Sequence, residues 1–276
     1  MSENSSFTNI SLIHEASLEE PYFVICKDRS VPSAPLTQED DTAFTQLLKA
    51  YPDLQNVNGK KEIEHGLLHR IDNETQGLIL VASTQEFYDY MQNEQKDGKF
   101  IKHYTALCDF TSRIPDEQFP DFSENIKNVL EEISLLYKNN SAEDKIKPVE
   151  FTIDSKFRPF GKESTVVRPV NEYSGKAAVS KAAPKLYETK IAVTDIVEYD
   201  NKKLLKVHCT ISNGYRHQVR CHLSWLGLPV YNDELYNPFY QPDFPFMMQL
   251  TGNTESVPPK HICFTADSFE FNYNGI

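Results

Sequence analysis

Two strand-like runs, Lys190–Tyr199 and Lys203–Ser212, flank the polar turn Asp200-Asn201-Lys202. Apolar runs separated by so short a polar segment predict a β-hairpin, whose strands are antiparallel neighbours. Tyr22–Cys26, Leu78–Ala82, Phe100–Phe110, His261–Phe264 and Phe269–Phe271 also read as strands. Helical spacing is less frequent. Asp41 is the expected N-cap of a helix that carries Phe44, Leu47, Leu48 and Tyr51 on one face and stops at Pro52. Ser83 or Thr84 caps a second helix with Phe87, Tyr88 and Met91, ending near Gly98. A third is expected from Tyr215 to Leu226, closed by Gly227. Strands outnumber helices and hairpins outnumber βαβ units. The expected class is therefore α+β, a mostly antiparallel mixed sheet with helices on its faces.

A chain of 276 residues suits one large domain or two modest ones. Residues 1–20 read as an N-terminal tail, frayed over Met1–Asn9, and 21–276 as the main domain. Thr111–Pro148 reads as an insertion, Pro- and Asp-rich at first. It then carries Ile126, Val129, Leu130, Ile133, Leu136 and Tyr137 at helical spacing behind an Asp121/Glu124 capping box. The first residues lack the basic-then-apolar pattern of a secretory signal, and no apolar stretch is long enough to span a membrane. Cys26, Cys108, Cys209, Cys221 and Cys263 are scattered and form no C-x-x-C pair. Buried free thiols in a reducing cytoplasm are expected, and the spacings do not suit zinc.

The net charge of −12 is unevenly spread. Lys145–Lys190 holds ten basic residues against five acids, while the segments before Lys60 and after Leu226 are acidic. A polyanion would have one favoured face, because binding needs local rather than total positive potential. On charge alone, a solvated charged loop accounts for the same stretch.

The chemistry concentrates in three segments. His69-Arg70-Ile71-Asp72 precedes a turn and the apolar run Leu78–Val81. A cationic neighbour favours the ionised carboxylate, and an aspartate on the lip of a strand can act as a nucleophile. Lys102-His103-Tyr104-Thr105-Ala106 lies on a strand, and Gly214–Leu223 opens the third helix. There, Arg216 and Arg220 at i, i+4 would share one face and repel unless an anion lies near them.

Together these segments resemble the RluA-type pseudouridine synthase family. HRIDNETQG matches its H-R-L-D-x-x-T-S-G signature, with Ile71 for Leu and Gln76 for Ser. Lys102, Tyr104 and Ala106 match K-x-Y-x-A. Gly214, His217, Gln218, Arg220, His222 and Leu223 match G-R-T-H-Q-I-R-x-H-L, and Leu226, Gly227, Pro229, Asp233 and Tyr236 continue that match. Tyr215 stands where the family has Arg, Arg216 is displaced by one position, and Tyr231-Asn232 replaces the usual x-Gly before Asp233.

The resemblance implies the pseudouridine synthase fold with a central catalytic cleft, and isomerisation of uridines in ribosomal or transfer RNA without metal or cofactor. It implies Asp72 as the catalytic carboxylate, attacking the anomeric carbon, adding to carbon 6 of uracil, or assisting through a glycal. Arg220 would pair with Asp72, and Tyr104 would stack on the flipped uracil and relay a proton. Arg70, His69, Lys102, Arg216, His217 and Gln218 would bind substrate. The implied protein is a cytoplasmic monomer, and an S4-type RNA-binding domain does not fit before Pro21. The basic Lys156–Lys185 region is expected to take up part of that domain's role.

Two other readings compete. An RNA-binding protein of the same fold would not need Asp72 facing a cleft. A metal hydrolase using His65, His69, His217 and His222 would need His65 and His69 on a helix, which Gly66 opposes.

Overall fold

The computed structural model describes residues 7–112, 119–241 and 261–275. Its strands are β1 (Ile10–His14), β2 (Tyr22–Lys27), β3 (Gln76–Ala82), β4 (Ile101–Cys108), β5 (Val149–Phe160), β6 (Val166–Val170), β7 (Tyr187–Tyr199), β8 (Lys202–Ile211) and β9 (Phe264–Glu270). Its helices are α1 (Ala43–Ala50), α2 (Gln85–Lys96), α3 (Glu124–Asn139), the single turn α4 (Lys176–Val179) and α5 (Gln218–Trp225). The predominance of antiparallel pairs among these strands is the α+β pattern expected from the sequence. No described helix is long and apolar enough to cross a membrane.

The chain divides into two compact units, Met1–Tyr104 with Thr265–Ile276, and Thr105–Phe264. In the first, β2 pairs antiparallel with both β1 and β3, and β3 runs parallel to β9. β3 carries the apolar run that follows Asp72, and Ile79 through Ala82 are fully buried. Gly77 lets β3 approach β9. Its φ is +141°, and a Cβ there would lie 2.2 Å from the Ala266 carbonyl oxygen. Leu80, Phe87, Met91 and Phe100 form the heart of this unit's core.

Four local expectations are corrected here. Thr42, not Asp41, caps α1, because its hydroxyl accepts the Thr45 N–H at 3.1 Å while Thr45 Oγ1 accepts the Thr42 N–H at 2.7 Å. Ile10–His14, within the segment read as a tail, is a strand whose backbone is paired to β2. The closing strands expected at His261–Phe264 and Phe269–Phe271 are one strand, β9. Cys26 and Cys263 are half-buried, although Cys108, Cys209 and Cys221 are buried as expected and all five are free. Residues 1–6, the Pro-rich 113–118 and the aromatic-rich 242–260 lie outside the described residues.

In the second unit, β5 pairs antiparallel with β6 and β7, and β7 with β8. The β7–β8 hairpin forms as predicted. Asp200 and Asn201 take φ of 53° and 55°, the left-handed pair that a two-residue hairpin turn requires. β5 and β6 were not anticipated from the charged Lys145–Lys190 stretch. Val149, Ile153, Ser155 and Phe157 point inward between exposed Glu150, Thr152 and Asp154, so the outward charges mask the alternation.

α3 packs onto this unit through Ile126 and Ile133, and the Tyr137 hydroxyl donates to the Lys203 carbonyl at 2.8 Å. The expected Asp121 capping box is absent. Ser123 stands at the N-cap, and Asp121 instead accepts the Phe122 N–H at 2.8 Å and Lys127 at 3.1 Å.

Candidate active site

Asp72 is half-buried at the start of the turn Asp72–Thr75, closed by the Thr75 N–H on the Asp72 carbonyl at 3.1 Å. The last residue of β2 and two residues of the β2–α1 connection hold this turn. The Ser33 hydroxyl donates to the Ile71 carbonyl at 2.7 Å and accepts the Ile71 N–H at 3.1 Å. The Ser30 N–H donates to the Asn73 carbonyl at 2.7 Å. Lys27, fully buried, donates to that same carbonyl and to Asp28 O, each at 3.0 Å. Burial lowers the Lys27 pKa to about 8, against the pull of the Glu74, Asp72 and Asp28 carboxylates. Sequence reasoning missed these three residues. The available signal was register, because Lys27 continues the inward series Phe23, Ile25 along β2.

His69 sits behind the turn. Its Nε2 accepts the Leu80 N–H at 3.1 Å, and its ring packs edge-on to Phe100 and Phe269. Burial, then the charge of Lys102, lowers its pKa to about 3, so it is a neutral support for β3. Arg70 is exposed, 3.7 Å from Glu64. Lys102 lies 4.3 Å above the Phe100 ring, and burial lowers its pKa to about 8. Tyr104 is buried on β4, two residues beyond Lys102.

In the second unit, Arg220 is 1% exposed and makes a two-pronged pair with Asp233, Nε to Oδ2 at 2.8 Å and Nη2 to Oδ1 at 2.7 Å. Asp233, to which the sequence reading gave no role, is a carboxylate partner of Arg220 within this unit. It also accepts the N–H groups of Leu235 and Tyr236 at 3.0 and 3.2 Å. The Arg220 guanidinium lies 5.5 Å from the Tyr236 ring centre, and the Tyr236 hydroxyl meets the Val167 N–H at 2.9 Å and His217 Nδ1 at 3.0 Å. Burial raises the Tyr236 pKa well beyond the ordinary phenol range.

Arg216 and Arg220 do not share a helix face. His217 adopts φ 55° and α5 begins only at Gln218, so Arg216 lies before the helix and donates to the carbonyls of Ser164 and Val166. Gln218 is buried and occupied within the fold, accepting the Tyr215 N–H at 3.0 Å and donating to Glu188 O at 2.8 Å. His222 is held by Ser155 at 2.9 Å and Thr189 at 2.8 Å, and burial lowers its pKa to about 3. Both of its ring nitrogens are thus engaged by hydroxyls, which opposes a ligand role in the hydrolase reading. Among the described residues no group of three or more His, Cys, Asp or Glu side chains is arranged to hold a metal ion.

A family model described as RNA pseudouridylate synthase matches residues 21–225, most of the chain. The chain belongs to this family. The match encloses Asp72, Tyr104 and Arg220. Relatives include the tRNA pseudouridine(31) synthase of Saccharomyces cerevisiae, 26% identical over 79% of this chain and 45% of that protein. RNA pseudouridine synthase 7 of Arabidopsis thaliana is 24% identical over 83% of this chain and 45% of that protein. Ribosomal large subunit pseudouridine synthase D of Blochmanniella floridana is 22% identical over 71% and 44%. The chain thus spans less than half the length of these relatives. The solved structure of human RNA pseudouridylate synthase domain containing 1 shares the fold, with a TM-score of 0.58 and 18% identity over 96% of this chain and 80% of that one.

Proposed function

We propose that the chain is an RNA pseudouridine synthase, an isomerase that converts uridines of structured transfer or ribosomal RNA to the carbon-linked isomer. The observation that carries this reading is the anchored Asp72 turn inside the family match: a half-buried carboxylate whose backbone is fixed by Ser30, Ser33 and Lys27. The reaction breaks the C1′–N1 bond, turns the base, forms C1′–C5, releases the proton of C5 and returns one to N1. It needs a fixed anion at the ribose or ring, which Asp72 supplies in each of the three routes.

Tyr104 stacks on the extruded base and relays the C5 proton. Extrusion costs a few kcal/mol of lost stacking. Arg220, held rigid by Asp233, keeps the catalytic role that the third signature gives it. Exposed Arg70 and Arg216 take phosphates, and Lys102 completes the substrate contacts. His69, His217 and Gln218 serve the substrate indirectly, by holding the backbone around it. Relatives named for transfer-RNA and ribosomal-RNA uridines support both substrate classes. The enzyme acts in the cytoplasm as a monomer, without metal or cofactor.

Transcripts labelled with tritium at C5 of uridine test this directly. The wild type releases label to water, and Asp72→Asn releases none. No release by the wild type from either RNA class would leave the RNA-binding reading in its place. Undiminished release by Asp72→Asn would remove Asp72 from the chemistry.

A further inference from the structure

On the β5–β6 hairpin, Arg158 and Arg168 are directly opposed across the antiparallel pair. Like charges so placed destabilise a sheet. Here their guanidinium carbons lie 4.8 and 4.9 Å from the centre of one ring, Phe160, and Arg168 is also 4.9 Å from Phe119. The aromatic faces offset part of the repulsion. They do not satisfy Arg158, whose Nε–H is buried without a hydrogen-bond acceptor. That N–H is closed to solvent, but Arg158 as a whole is only half-buried, and a guanidinium that solvent reaches suits a phosphate oxygen.

The surroundings favour an anion. Lys162 is exposed in the β5–β6 turn, and Lys156 precedes Arg158 on β5. Arg216 reaches the same turn through the carbonyls of Ser164 and Val166. The loop after β6 adds exposed Lys176, Lys181 and Lys185, and Tyr173 on that loop is 50% exposed. In a chain of net charge −12, this stretch is locally cationic, with exposed Glu163 and Glu172 among its basic residues.

We propose that the β5–β6 hairpin is an RNA-backbone site: half-buried Arg158, positioned beside Phe160 and the buried Arg168, takes one phosphodiester, and the flanking lysines follow the strand. The inference rests on the isomerase reading for its choice of RNA, and it assigns residues that the three signatures do not contain.

The test is binding of a fluorescent, unmodified transfer-RNA transcript to the full chain between 50 and 300 mM KCl, run beside tritium release. Arg158→Gln should weaken binding at 150 mM roughly tenfold and reduce the slope of log K against log salt by about 0.7–0.9, one phosphate contact. Phe160→Leu, which keeps the apolar bulk but removes the ring that positions the Arg158 guanidinium, should weaken binding by roughly threefold or more. Unfolding midpoints of both variants separate these effects from misfolding. An unchanged slope and affinity in a folded Arg158→Gln, with the wild type releasing tritium, overturns the hairpin site and leaves the isomerase reading intact. Loss of binding as expected, with no tritium release by the wild type on any RNA, retains the site and removes the isomerase. Equal Arg158-dependent binding to polyglutamate or to phosphatidylserine vesicles overturns the assignment to RNA.

Discussion

Lys27 in the first unit and Arg220 in the second are both buried cations, and they are satisfied in opposite ways. Lys27 meets two neutral carbonyls, and its charge is costly enough that its pKa falls to about 8. Arg220 meets a carboxylate in a bidentate fork at 2.8 and 2.7 Å. A lysine can surrender its proton to a dry site, whereas a guanidinium cannot and must bring a counter-ion into the fold. The first arrangement anchors a turn and remains titratable. The second is a fixed charge that keeps its orientation at any working pH.

The comparison breaks most visibly at Asp233. Asp233→Ala leaves Arg220 buried without that partner and should cost about 3–5 kcal/mol in denaturant unfolding. Arg220→Met with Asp233→Leu should recover much of that loss while tritium release stays abolished. A cost below about 1 kcal/mol for the single variant would mean that the pair is not the structural element described.

Lys27 sharpens the contrast. Its folded pKa lies near 8 and its ordinary value is 10.5, so between these pH values the unfolded chain holds more protons. Stability should therefore rise with pH across that window, by on the order of 3 kcal/mol, and the rise should vanish in Lys27→Met. The same variant should slow tritium release roughly ten- to hundredfold, as the Asp72 turn loses an anchor. A wild type that loses stability relative to Lys27→Met over this range would reverse the sign and refute the assignment.

The smallest effect concerns one histidine from each unit, His69 and His222, whose pKa values are lowered to about 3 by burial. Their imidazole resonances should stay flat from pH 5 to 8, and their contribution to stability should be lost only as pH falls from 6.5 toward 3. A midpoint near 6.5 for either would place that ring in water.

The sequence displayed those features that depend on local chemistry. The β7–β8 hairpin, the Thr84 cap of α2 and the apolar β3 behind Asp72 each follow from turn residues, capping hydroxyls or hydrophobic runs. Three ordered signatures identified the family. What stayed hidden depends on register and long-range partners. β5 carries its acidic residues outward, and β6 is short and holds a buried Arg168 and a proline, so the stretch resembles a solvated loop. A left-handed His217, not a proline or glycine, delays α5 until Gln218 and separates Arg216 from Arg220. The Lys27 and Ser33 contacts to the Asp72 turn cross 46 and 38 residues of chain, distances at which no periodicity speaks.

The central claim, that the Asp72 carboxylate performs uridine isomerisation, is met most directly by mapping pseudouridines across cellular RNA in cells that lack the gene and in the same cells given it back. One or more sites should disappear on deletion, return with the wild type and remain uridine with Asp72→Asn. Sites restored in full by Asp72→Asn, or no site lost on deletion, would contradict it.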